Sequence, residues 1–425
     1  MPRQADDRLL RTWTVAHKFF IICSISAILA FSCLESQARV YSGLEVFLSK
    51  YLYLVKGKRV GLVTNQTGVN ADKISTVNLL YKNPNIRLVA LFAPEHGIRG
   101  NVKAGETVPG GKDPVTGLPI YTLYGANGHR PTREALATID VLVYDIQDVG
   151  SRTYTYIWHL AECMTAAAQN GKTVIVLDRP NPLGASTVDG PVVDPELLSF
   201  IGLYPVPRVY GMTVGELALY LNTEEKIKCD LFIVPMMNFR RGLVWSQTGL
   251  PWIPPSPNIP TPESAYSYAA TGTLGETGGI NIGIGTLPFQ LVAAPWIDAN
   301  SACTALNSLR LPGVMFVPLK YRTVKGNEAS DYAVQIVVTN PAIFRPATTE
   351  IAILCHLKKA YPQRFSWTPD GKKERLLKFD KAMGTSLVRR AIDAGWDYRT
   401  IMQTCDRNVA AQNFMLKRGK YLIYK

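Results

Sequence analysis

Short runs of apolar residues alternate with longer amphipathic stretches through the first half of the chain. Four runs are continuous and rich in β-branched residues, as buried strands are: 59–64, 87–92, 139–145 and 174–177. Two stretches between them have helical spacing: one begins at Asp72, and the other ends at Gly171. Apolar strands separated by amphipathic helices are typical of a parallel sheet with both faces covered. The pattern predicts an α/β fold with a Rossmann-like, doubly wound domain.

The spacing within the two helical stretches predicts which side chains reach the core. In the first stretch, Ile74, Val77 and Leu80 fall on one face of a helix. The second stretch carries an apolar stripe: Ile157, Leu160, Ala161, Met164 and Ala168. A stripe of this kind faces the interior of a globular domain. We therefore expect these side chains to be buried.

The pattern changes in the second half of the chain. Residues 229–236 predict one more strand of the first sheet, and a Pro-rich, aromatic stretch follows at 245–262. Three later stretches are β-rich or helical: 332–339, 349–360 and 378–393. The sequence therefore predicts a Rossmann-like domain at 39–245 and a smaller mixed α/β C-terminal domain at 246–425.

The N-terminal region has the parts of a secretory signal peptide. Its first part is basic: Arg3, Arg8, Arg11, His17 and Lys18. An apolar run from Phe19 to Leu34 follows, shorter than the ~20 residues of a spanning helix, and Ser36–Ala38 supplies small residues for cleavage. We expect a signal peptide at 1–38 and a mature protein that is secreted or periplasmic. An uncleaved membrane anchor and a lipid-modified Cys33 are the alternatives.

Composition narrows the range of partners. Hydrophobic residues make up 47% of the chain, enough for a sizeable core, and the formal net charge is +13. A basic surface favours polyanionic partners such as nucleic acid, anionic lipid or anionic cell wall. The longest basic cluster, at 372–375, is short, so we expect no nucleic-acid binding. No segment after the signal is apolar enough to predict stable membrane insertion.

The sequence predicts neither a cofactor nor a metal. The cysteines that follow the signal are far apart and lack zinc spacing: Cys163, Cys229, Cys303, Cys355 and Cys405. No G-x-G-x-x-G follows the first strand, and the chain has no P-loop. His159 lies within the helical stripe, where packing or hydrogen bonding is its expected role, so a His-based triad is poorly supported. Carboxylates remain as the candidate chemistry.

Polar residues gather in the loops that directly follow the four predicted strands: 65–68, 93–97, 147–152 and 178–182. In an open parallel sheet such loops share one edge, outside the carboxyl ends of the strands, and ligands bind there. Four separate stretches thus bring Asn, Glu, His, Gln, Asp and Arg to one crevice.

Glu95 is the carboxylate that we single out in this crevice. It follows an apolar strand and Pro94, which places it on a rigid, partly desolvated loop. Burial helps a carboxyl group keep its proton near neutral pH, as a general acid requires. The alternative is a loop glutamate that accepts backbone hydrogen bonds.

Three aspartates offer a second acidic group: Asp145, Asp148 and Asp178. They could supply a second catalytic carboxylate, hold a cation, or form salt bridges with Arg152 and Arg179. Glu216 has a structural explanation, because Thr213 and Glu216 before an apolar run have the spacing of a helix capping box.

Aromatic residues cluster in loop-like stretches rich in Pro and Gly: Tyr121, Tyr124, Tyr154, Tyr156, Trp245, Trp252, Tyr266, Tyr268 and Trp296. Flat rings stack on sugar faces, while Asn, Asp and Arg bond to sugar hydroxyls. The same rings could instead pack the two domains together.

The chain resembles the NamZ-type exo-β-N-acetylmuramidases from about Gly43 to Tyr424. The matching motifs of the first half are Gly-Leu-Val-Thr-Asn-Gln-Thr-Gly at 61–68, Ala-Pro-Glu-His-Gly-Ile-Arg-Gly at 93–100, Asp-Pro-Val-Thr-Gly-Leu-Pro-Ile-Tyr at 113–121, Asp-Ile-Gln-Asp-Val-Gly-Ser-Arg-Thr-Tyr-Thr-Tyr at 145–156 and Asp-Arg-Pro-Asn-Pro at 178–182. Later motifs are Tyr-Gly-Met-Thr-Val-Gly-Glu at 210–216, Pro-Ser-Pro-Asn-Ile-Pro at 255–260, Pro-Phe-Gln at 288–290 and Ala-Pro-Trp at 294–296.

The resemblance implies removal of terminal N-acetylmuramic acid from the non-reducing end of peptidoglycan fragments, with an active site in the cleft between the two domains. The family's catalytic glutamate corresponds to Glu95, and Asp148 and Glu276 are the candidates for a second catalytic group. The expected substrate-binding residues are Asn65, His96, Arg99, Gln147, Arg152, Tyr154, Asp178, Arg179, Asn181 and Asn258. Muramic acid carries a lactyl carboxylate, so we expect Arg99, Arg152 or Arg179 to contact it.

One position departs from the family pattern. Where the family has Gly-Arg-Gly-Thr, this chain has Gly-Ile-Gly-Thr at 283–286, so Ile284 replaces a cation. Two alternatives therefore remain open beside the muramidase. The protein could bind cell-wall sugars without catalysis, or it could hydrolyse another amino sugar or an amide.

Overall fold

The computed structural model describes residues 39–425 apart from 101, 104, 126–127, 326–327 and 368–372. The predicted signal peptide at 1–38 lies outside the described residues, so its export role stays a prediction. No helix in the described ranges is long and apolar enough to cross a membrane.

The strands in chain order are β1 (Arg59–Thr64), β2 (Arg87–Ala93), β3 (Gly111–Lys112), β4 (Pro119–Thr122), β5 (Val141–Asp145), β6 (Thr173–Leu177), β7 (Asp189–Val192), β8 (Pro207–Val209), β9 (Asp230–Val234), β10 (Leu291–Val292), β11 (Val314–Lys325) and β12 (Glu328–Val338). The α-helices are α1 (Gly43–Val46), α2 (Thr76–Lys82), α3 (Arg133–Ala137), α4 (Tyr156–Gln169), α5 (Val214–Glu224), α6 (Pro262–Thr271), α7 (Ala299–Ser308), α8 (Pro346–Ala360), α9 (Lys373–Met383), α10 (Leu387–Asp393), α11 (Tyr398–Asp406) and α12 (Val409–Arg418).

Seven strands of the first half form one sheet in the order β3-β4-β2-β1-β5-β6-β9. All neighbours are parallel except the short edge pair β3 and β4. The predicted α/β fold is therefore confirmed, with β1, β2, β5, β6 and β9 close to their predicted positions. The sequence pattern missed β3 and β4, which are short and lie at the exposed edge of the sheet.

The strand order reverses between β1 and β5, because β2 lies on one side of β1 and β5 on the other. Such a switch point opens a crevice at the carboxyl ends of the strands. The loops that follow β1 and β5 meet there: the backbone N–H of Gln147 donates to Oγ1 of Thr67 at 2.9 Å. The fold thus places the predicted polar loops along one edge.

Two predicted helices differ from the structure. The first begins at Thr76 rather than Asp72, because the Ser75 hydroxyl accepts from the backbone N–H of Asn78 and caps the helix there. Ile74 then falls in the preceding turn and is 45% exposed, so its predicted burial is wrong. The predicted helix at 378–393 is split in two by Gly384, whose φ of +94° lies in the left-handed region.

The second half has a three-stranded antiparallel sheet in the order β10-β12-β11, with helices packed around it. Its largest apolar cluster joins α7, α8 and α11 to this sheet. Helix α12 returns to the first half, where Phe414 packs on Tyr220 with ring centroids 5.0 Å apart. Tyr424 continues this return and donates from its hydroxyl to Asp178 at 2.6 Å. The C-terminal segment therefore completes the core of the first half.

Candidate active site

Glu95 lies in a sharp turn directly after β2. His96 and Gly97 both have left-handed backbone conformations, with φ of 70° and 76°. The turn is held by the His96 ring, whose Nδ1 lies 2.8 Å from the carbonyl oxygen of Val102. A non-glycine residue in this conformation costs about 1–3 kcal/mol and is often found at functional sites. The turn leaves the Glu95 side chain half-buried at the carboxyl edge of the sheet.

Both oxygens of the Glu95 carboxylate accept hydrogen bonds. The backbone N–H of Gly105 donates to Oε1 at 3.0 Å. The hydroxyl of Thr155 donates to Oε2 at 2.8 Å. His159 lies behind the turn, with Nε2 3.5 Å from the backbone nitrogen of Glu95. The carboxylate is therefore held in one orientation by groups from its own loop and from the start of α4.

Tyrosine rings from both halves of the chain form a wall beside Glu95. Tyr154 packs edge-on against Tyr156 and Tyr268, with ring centroids 5.0 Å and 5.6 Å away. Tyr268 belongs to α6, and its hydroxyl lies 3.1 Å from Oγ1 of Thr153. Burial and the neighbouring Glu95 raise the pKa of Tyr124 to about 12. Tyr124, Tyr154, Tyr156 and Tyr268 therefore cluster beside Glu95, with Tyr156 buried, and their contact with a sugar stays a prediction.

The other predicted aromatics pack elsewhere. Trp245 and Trp252 meet edge-on at 4.9 Å. Tyr121 packs on Phe92 below the crevice, and Trp296 packs on Tyr361. For these rings the alternative of structural packing describes the structure better.

A proline-rich segment, Pro254–Ser256, closes one side of the crevice. The Tyr156 hydroxyl donates to the carbonyl oxygen of Pro255 at 2.6 Å. The Gln66 amide donates to Pro254 and Pro255 at 2.9 Å and 3.0 Å. Three buried polar atoms in this region lack a hydrogen-bond partner among the described residues: Asn65 Nδ2, Gln66 Oε1 and Tyr154 Oη. Unpaired buried polar atoms are uncommon, and they give this crevice the capacity to bind a polar ligand.

Asp148 is the second carboxylate near the aromatic wall. It is buried and accepts from the Gly150 backbone N–H at 2.6 Å and from the Tyr210 hydroxyl. Burial raises its pKa to about 6. Besides burial, the negative charges of Glu95 and Asp148 both raise the pKa of Tyr156 and of Tyr268. The charges of both carboxylates are therefore felt at these phenols, and Asp148 can hold a proton close to neutral pH.

Asp145 and Asp178 are fully bonded within the protein. Asp145 pairs with the Arg179 guanidinium at 2.5 Å and 2.9 Å, so the salt-bridge interpretation describes this aspartate. Asp178 accepts from the Thr213 hydroxyl at 2.7 Å and from the Gly215 backbone N–H at 2.8 Å. Burial raises the pKa of Asp178 to about 6. The structure therefore buries Asp178 and Arg179, and their contact with substrate stays a prediction; Arg179 also lines a small cavity beside Thr67 and Gln147.

Arg152 differs most from its predicted role. Its guanidinium is buried and donates to the backbone carbonyls of Pro191, Val206 and Ala382 at 2.8–3.1 Å. Burial and the neighbouring Arg208 lower its pKa to about 9. The side chain therefore points into the protein and joins the first half to the end of α9. Sequence position could not reveal this, because a residue in a crevice loop can point either way.

Two family models cover most of the chain. The model described as exo-β-N-acetylmuramidase NamZ, N-terminal, matches residues 60–263, and its C-terminal counterpart matches residues 266–424. The chain belongs to this family.

Relatives of the NamZ family match over nearly the whole length. The peptidoglycan β-N-acetylmuramidase NamZ of Bacillus subtilis (strain 168) is 42% identical over 391 residues, which span 91% of this chain and 92% of that protein. Two crystal structures of DUF1343 family proteins from Bacteroides fragilis NCTC 9343 are also similar. One has a TM-score of 0.82 at 39% identity, covering 91% of this chain and 99% of that chain. The other has a TM-score of 0.69 at 29% identity, with the same coverage.

Three further residues predicted from the NamZ resemblance lie at the surface or partly buried. Arg99 follows Glu95 in the same turn, is 37% exposed, and donates to the buried Asp113 at 2.8 Å. Glu276 ends a short 3-10 turn, is partly buried, and forms no ion pair with the described residues. Asn258 is partly buried beside Pro254–Ser256. Arg99 is thus the most accessible of the three arginines predicted to meet the substrate.

In this NamZ family member, two amide side chains predicted to bind substrate form hydrogen bonds that hold the crevice loops together. Gln147 donates from its side chain to the carbonyls of Asp148 and Pro180 at 2.8 Å and 2.7 Å. Asn181 donates to Met212 at 2.8 Å and accepts from the Leu183 backbone N–H at 2.9 Å. Both fix the crevice loops, although Oε1 of Gln147 is left without a partner among the described residues.

Two residues that the sequence analysis did not place at the site contact Glu95. Thr155 belongs to a matching motif, but hydroxyls at such positions commonly cap helices. His159 was expected to pack within a helix, and it does so directly behind Glu95. The described residues include no group of three or more His, Cys, Asp or Glu side chains suited to a metal ion.

Proposed function

We propose that this protein is an exo-acting glycoside hydrolase that removes terminal β-N-acetylmuramic acid from the non-reducing end of peptidoglycan fragments. Family membership over both halves of the chain carries this proposal. The crevice supports it independently, because a held carboxylate faces a tyrosine wall and unpaired polar atoms. Rings and hydrogen-bonding groups in this combination suit a sugar.

Glu95 is the group that we propose to protonate the leaving glycosidic oxygen. It is half-buried and reachable, whereas Asp148 is enclosed. When Glu95 gives up its proton, the Thr155 hydroxyl and the Gly105 N–H already point at its two oxygens. These donors stabilise the carboxylate that remains.

Glycoside cleavage normally needs a second group opposite the acid. Of the two candidates, Asp148 has the stronger support, because it follows β5 at the same sheet edge as Glu95 and its Oδ1 has no partner among the described residues. The acetamido oxygen of the substrate is the other nucleophile of this chemistry, as in families that cleave N-acetylated sugars. In that case Asp148 orients or neutralises the acetamido group.

Arg99 is the arginine that we propose to recognise the lactyl carboxylate. It lies four residues after Glu95 and keeps an exposed guanidinium while it contacts Asp113. Ile284 is 47% exposed between Gly283 and Gly285, so this turn offers no cation of its own. Recognition of the anionic substrate then depends more heavily on Arg99.

The decisive test is turnover of a chromogenic β-N-acetylmuramide beside the matching β-N-acetylglucosaminide. We expect hydrolysis of the muramide and little or none of the glucosaminide. Measurable binding without turnover would instead favour a cell-wall sugar-binding protein, the function that Ile284 keeps open. Preferential cleavage of the glucosaminide would assign another amino sugar.

We also propose that the protein acts outside the cytoplasmic membrane, on the pattern of residues 1–38. N-terminal sequencing of the exported protein is expected to begin near Arg39. An exported chain that still begins with Met1 would contradict cleavage.

A further inference from the structure

Thr155 occupies the N-cap position of α4, but it does not cap that helix. A threonine there usually accepts from the backbone N–H two or three residues later, as Thr132 and Thr213 do for α3 and α5. Both of those have extended backbones, with ψ of 160° and 168°. Thr155 has helical angles, φ −76° and ψ −10°, and its hydroxyl forms no capping bond. The hydroxyl is instead directed at Oε2 of Glu95, 2.8 Å away.

We propose that Thr155 is the positioning residue of Glu95, a role that rests on the proposed function. Its hydroxyl fixes the orientation of the carboxyl group and stabilises the carboxylate formed when the proton leaves. In that step the O–H bond of Glu95 breaks, a new O–H bond forms on the leaving oxygen, and the bond from C1 to that oxygen breaks. Thr155 exchanges no proton and only donates its hydrogen bond.

Few groups around Glu95 can orient its carboxylate and stabilise its negative charge. The titratable side chains that face it are phenols and imidazoles: Tyr124, His129, Tyr154, Tyr156, His159 and Tyr268. Burial, together with His129, lowers the pKa of His159 to about 3, and burial lowers that of His129. These groups are therefore neutral near pH 7, and none of them is a cation that could hold the carboxylate.

Hydrogen-bond donors and the helix end compensate for the lack of a cation among these groups. Gly105 bonds Oε1, and Thr155 bonds Oε2. Helix α4 has 14 residues and begins next to Thr155, so the positive end of its dipole lies close to Glu95. Gly105 belongs to an exposed loop, and Tyr124, which also hydrogen-bonds Glu95, lies in a bend after β4. Thr155 is the donor anchored to a rigid element, and it sets the geometry.

The test compares Thr155→Val, which keeps the shape and removes the hydroxyl, with Thr155→Ser, which keeps the hydroxyl. With the natural disaccharide, Thr155→Val is expected to lower kcat about 10-fold or more, since the lost hydrogen bond is to a charged group, while KM stays unchanged. The limb of the pH–rate profile that Glu95 sets should move to higher pH, because the carboxylate loses a donor. Thr155→Ser should stay within about threefold of wild type.

Thr165→Val is the matched control, since it removes a hydroxyl that bonds within α4 to the carbonyl of Ala161. It should change neither kcat nor the pH profile. If Thr155→Val keeps wild-type kcat and pH profile while Glu95→Gln is inactive, the positioning role is wrong and the proposed function stands. If Thr155→Ser loses as much activity as Thr155→Val, with equal losses in Tm, the packing of the threonine side chain rather than its hydroxyl carries the effect, and the positioning role is wrong. If Glu95→Gln is fully active, the proposed function itself fails.

Discussion

Two groups of acidic side chains lie along the same edge of the central sheet. They differ in burial and in which residues donate hydrogen bonds to their carboxylates. Asp145 and Asp178 are closed within the protein by Arg179, Thr213 and Tyr424. Glu95 follows β2, which β1 separates from β5 in the sheet, and its side chain is half-buried. Both groups follow apolar strands, so the sequence pattern cannot distinguish them. Buried carboxylates whose hydrogen bonds are all made within the protein stabilise the fold. A carboxylate that a ligand can reach is the better candidate for catalysis.

Asp148 lies between these two extremes. It is as buried as the scaffold acids, but its Oδ1 has no partner among the described residues. Its raised pKa shows the cost of ionising a carboxyl group in this environment. The comparison therefore predicts that acids at one sheet edge respond to substitution in different ways: some through catalysis, some through stability.

The largest effect is expected for Glu95→Gln. The amide keeps the shape but cannot supply a proton, so kcat on the natural disaccharide should fall by on the order of 10² to 10⁴, with KM and Tm little changed. The loss should be smaller for a substrate with a very good leaving group. Steady-state kinetics on both substrates measures this. Activity within about threefold of wild type on the disaccharide, against the expected loss, would remove Glu95 from the role of acid.

Arg179→Ala should act on the scaffold. It leaves Asp145 buried without its partner, which costs about 3–5 kcal/mol of unfolding free energy. Urea denaturation measures the loss, and the molecules that remain folded should keep wild-type KM. Arg59→Ala is the control, because its pair with Asp140 is solvent-exposed and its loss should be much smaller. A raised KM with unchanged stability would instead mean that Arg179 binds the substrate, as the sequence analysis expected.

Asp148→Asn tests the intermediate case through pH. The folded-state pKa of Asp148 is raised from 3.8 to about 6. The protonated form thus contributes stability below about pH 4, which is lost as pH rises to about 6 and totals about 3 kcal/mol. Asparagine does not titrate, so the stability of the Asp148→Asn variant does not fall in this way as pH rises. The stability of wild type relative to the variant should therefore fall by that amount between pH 4 and pH 7 in urea titrations. A difference independent of pH would mean that Asp148 ionises as freely as an exposed aspartate.

Arg99→Ala should have the smallest of these effects, and it should appear in binding. The variant loses a hydrogen bond between charged groups. Its KM for the muramide should therefore rise, which corresponds to a loss of about 1–3 kcal/mol in apparent binding free energy. The glucosaminide lacks the lactyl carboxylate, so inhibition by it should be unchanged. Equal losses for both ligands would mean that Arg99 supports its turn through Asp113 rather than recognising the carboxylate.

The sequence predicted the sheet, and the edge that gathers the polar loops of the candidate site, because both depend on local patterns. Apolar runs specify buried strands, and the order of parallel strands brings their following loops together. The direction of each side chain depends on contacts made by distant residues. Arg152 turns inward because carbonyls as far away as Ala382 accept its hydrogen bonds. Ile74 and Thr155 show the same limit: the Ser75 hydroxyl starts a helix later than the pattern predicts, and the Thr155 hydroxyl is directed at Glu95 instead of capping α4.

The contact between Tyr424 and Asp178 joins residues 246 positions apart along the chain. Contacts of such long range form late, because the intervening chain must first be ordered or looped out. During synthesis, the first half therefore waits for α12 and Tyr424 before its core is sealed and Asp178 receives this donor. A fragment that ends at the predicted domain boundary would expose the apolar surface that Phe414 covers, and it should aggregate.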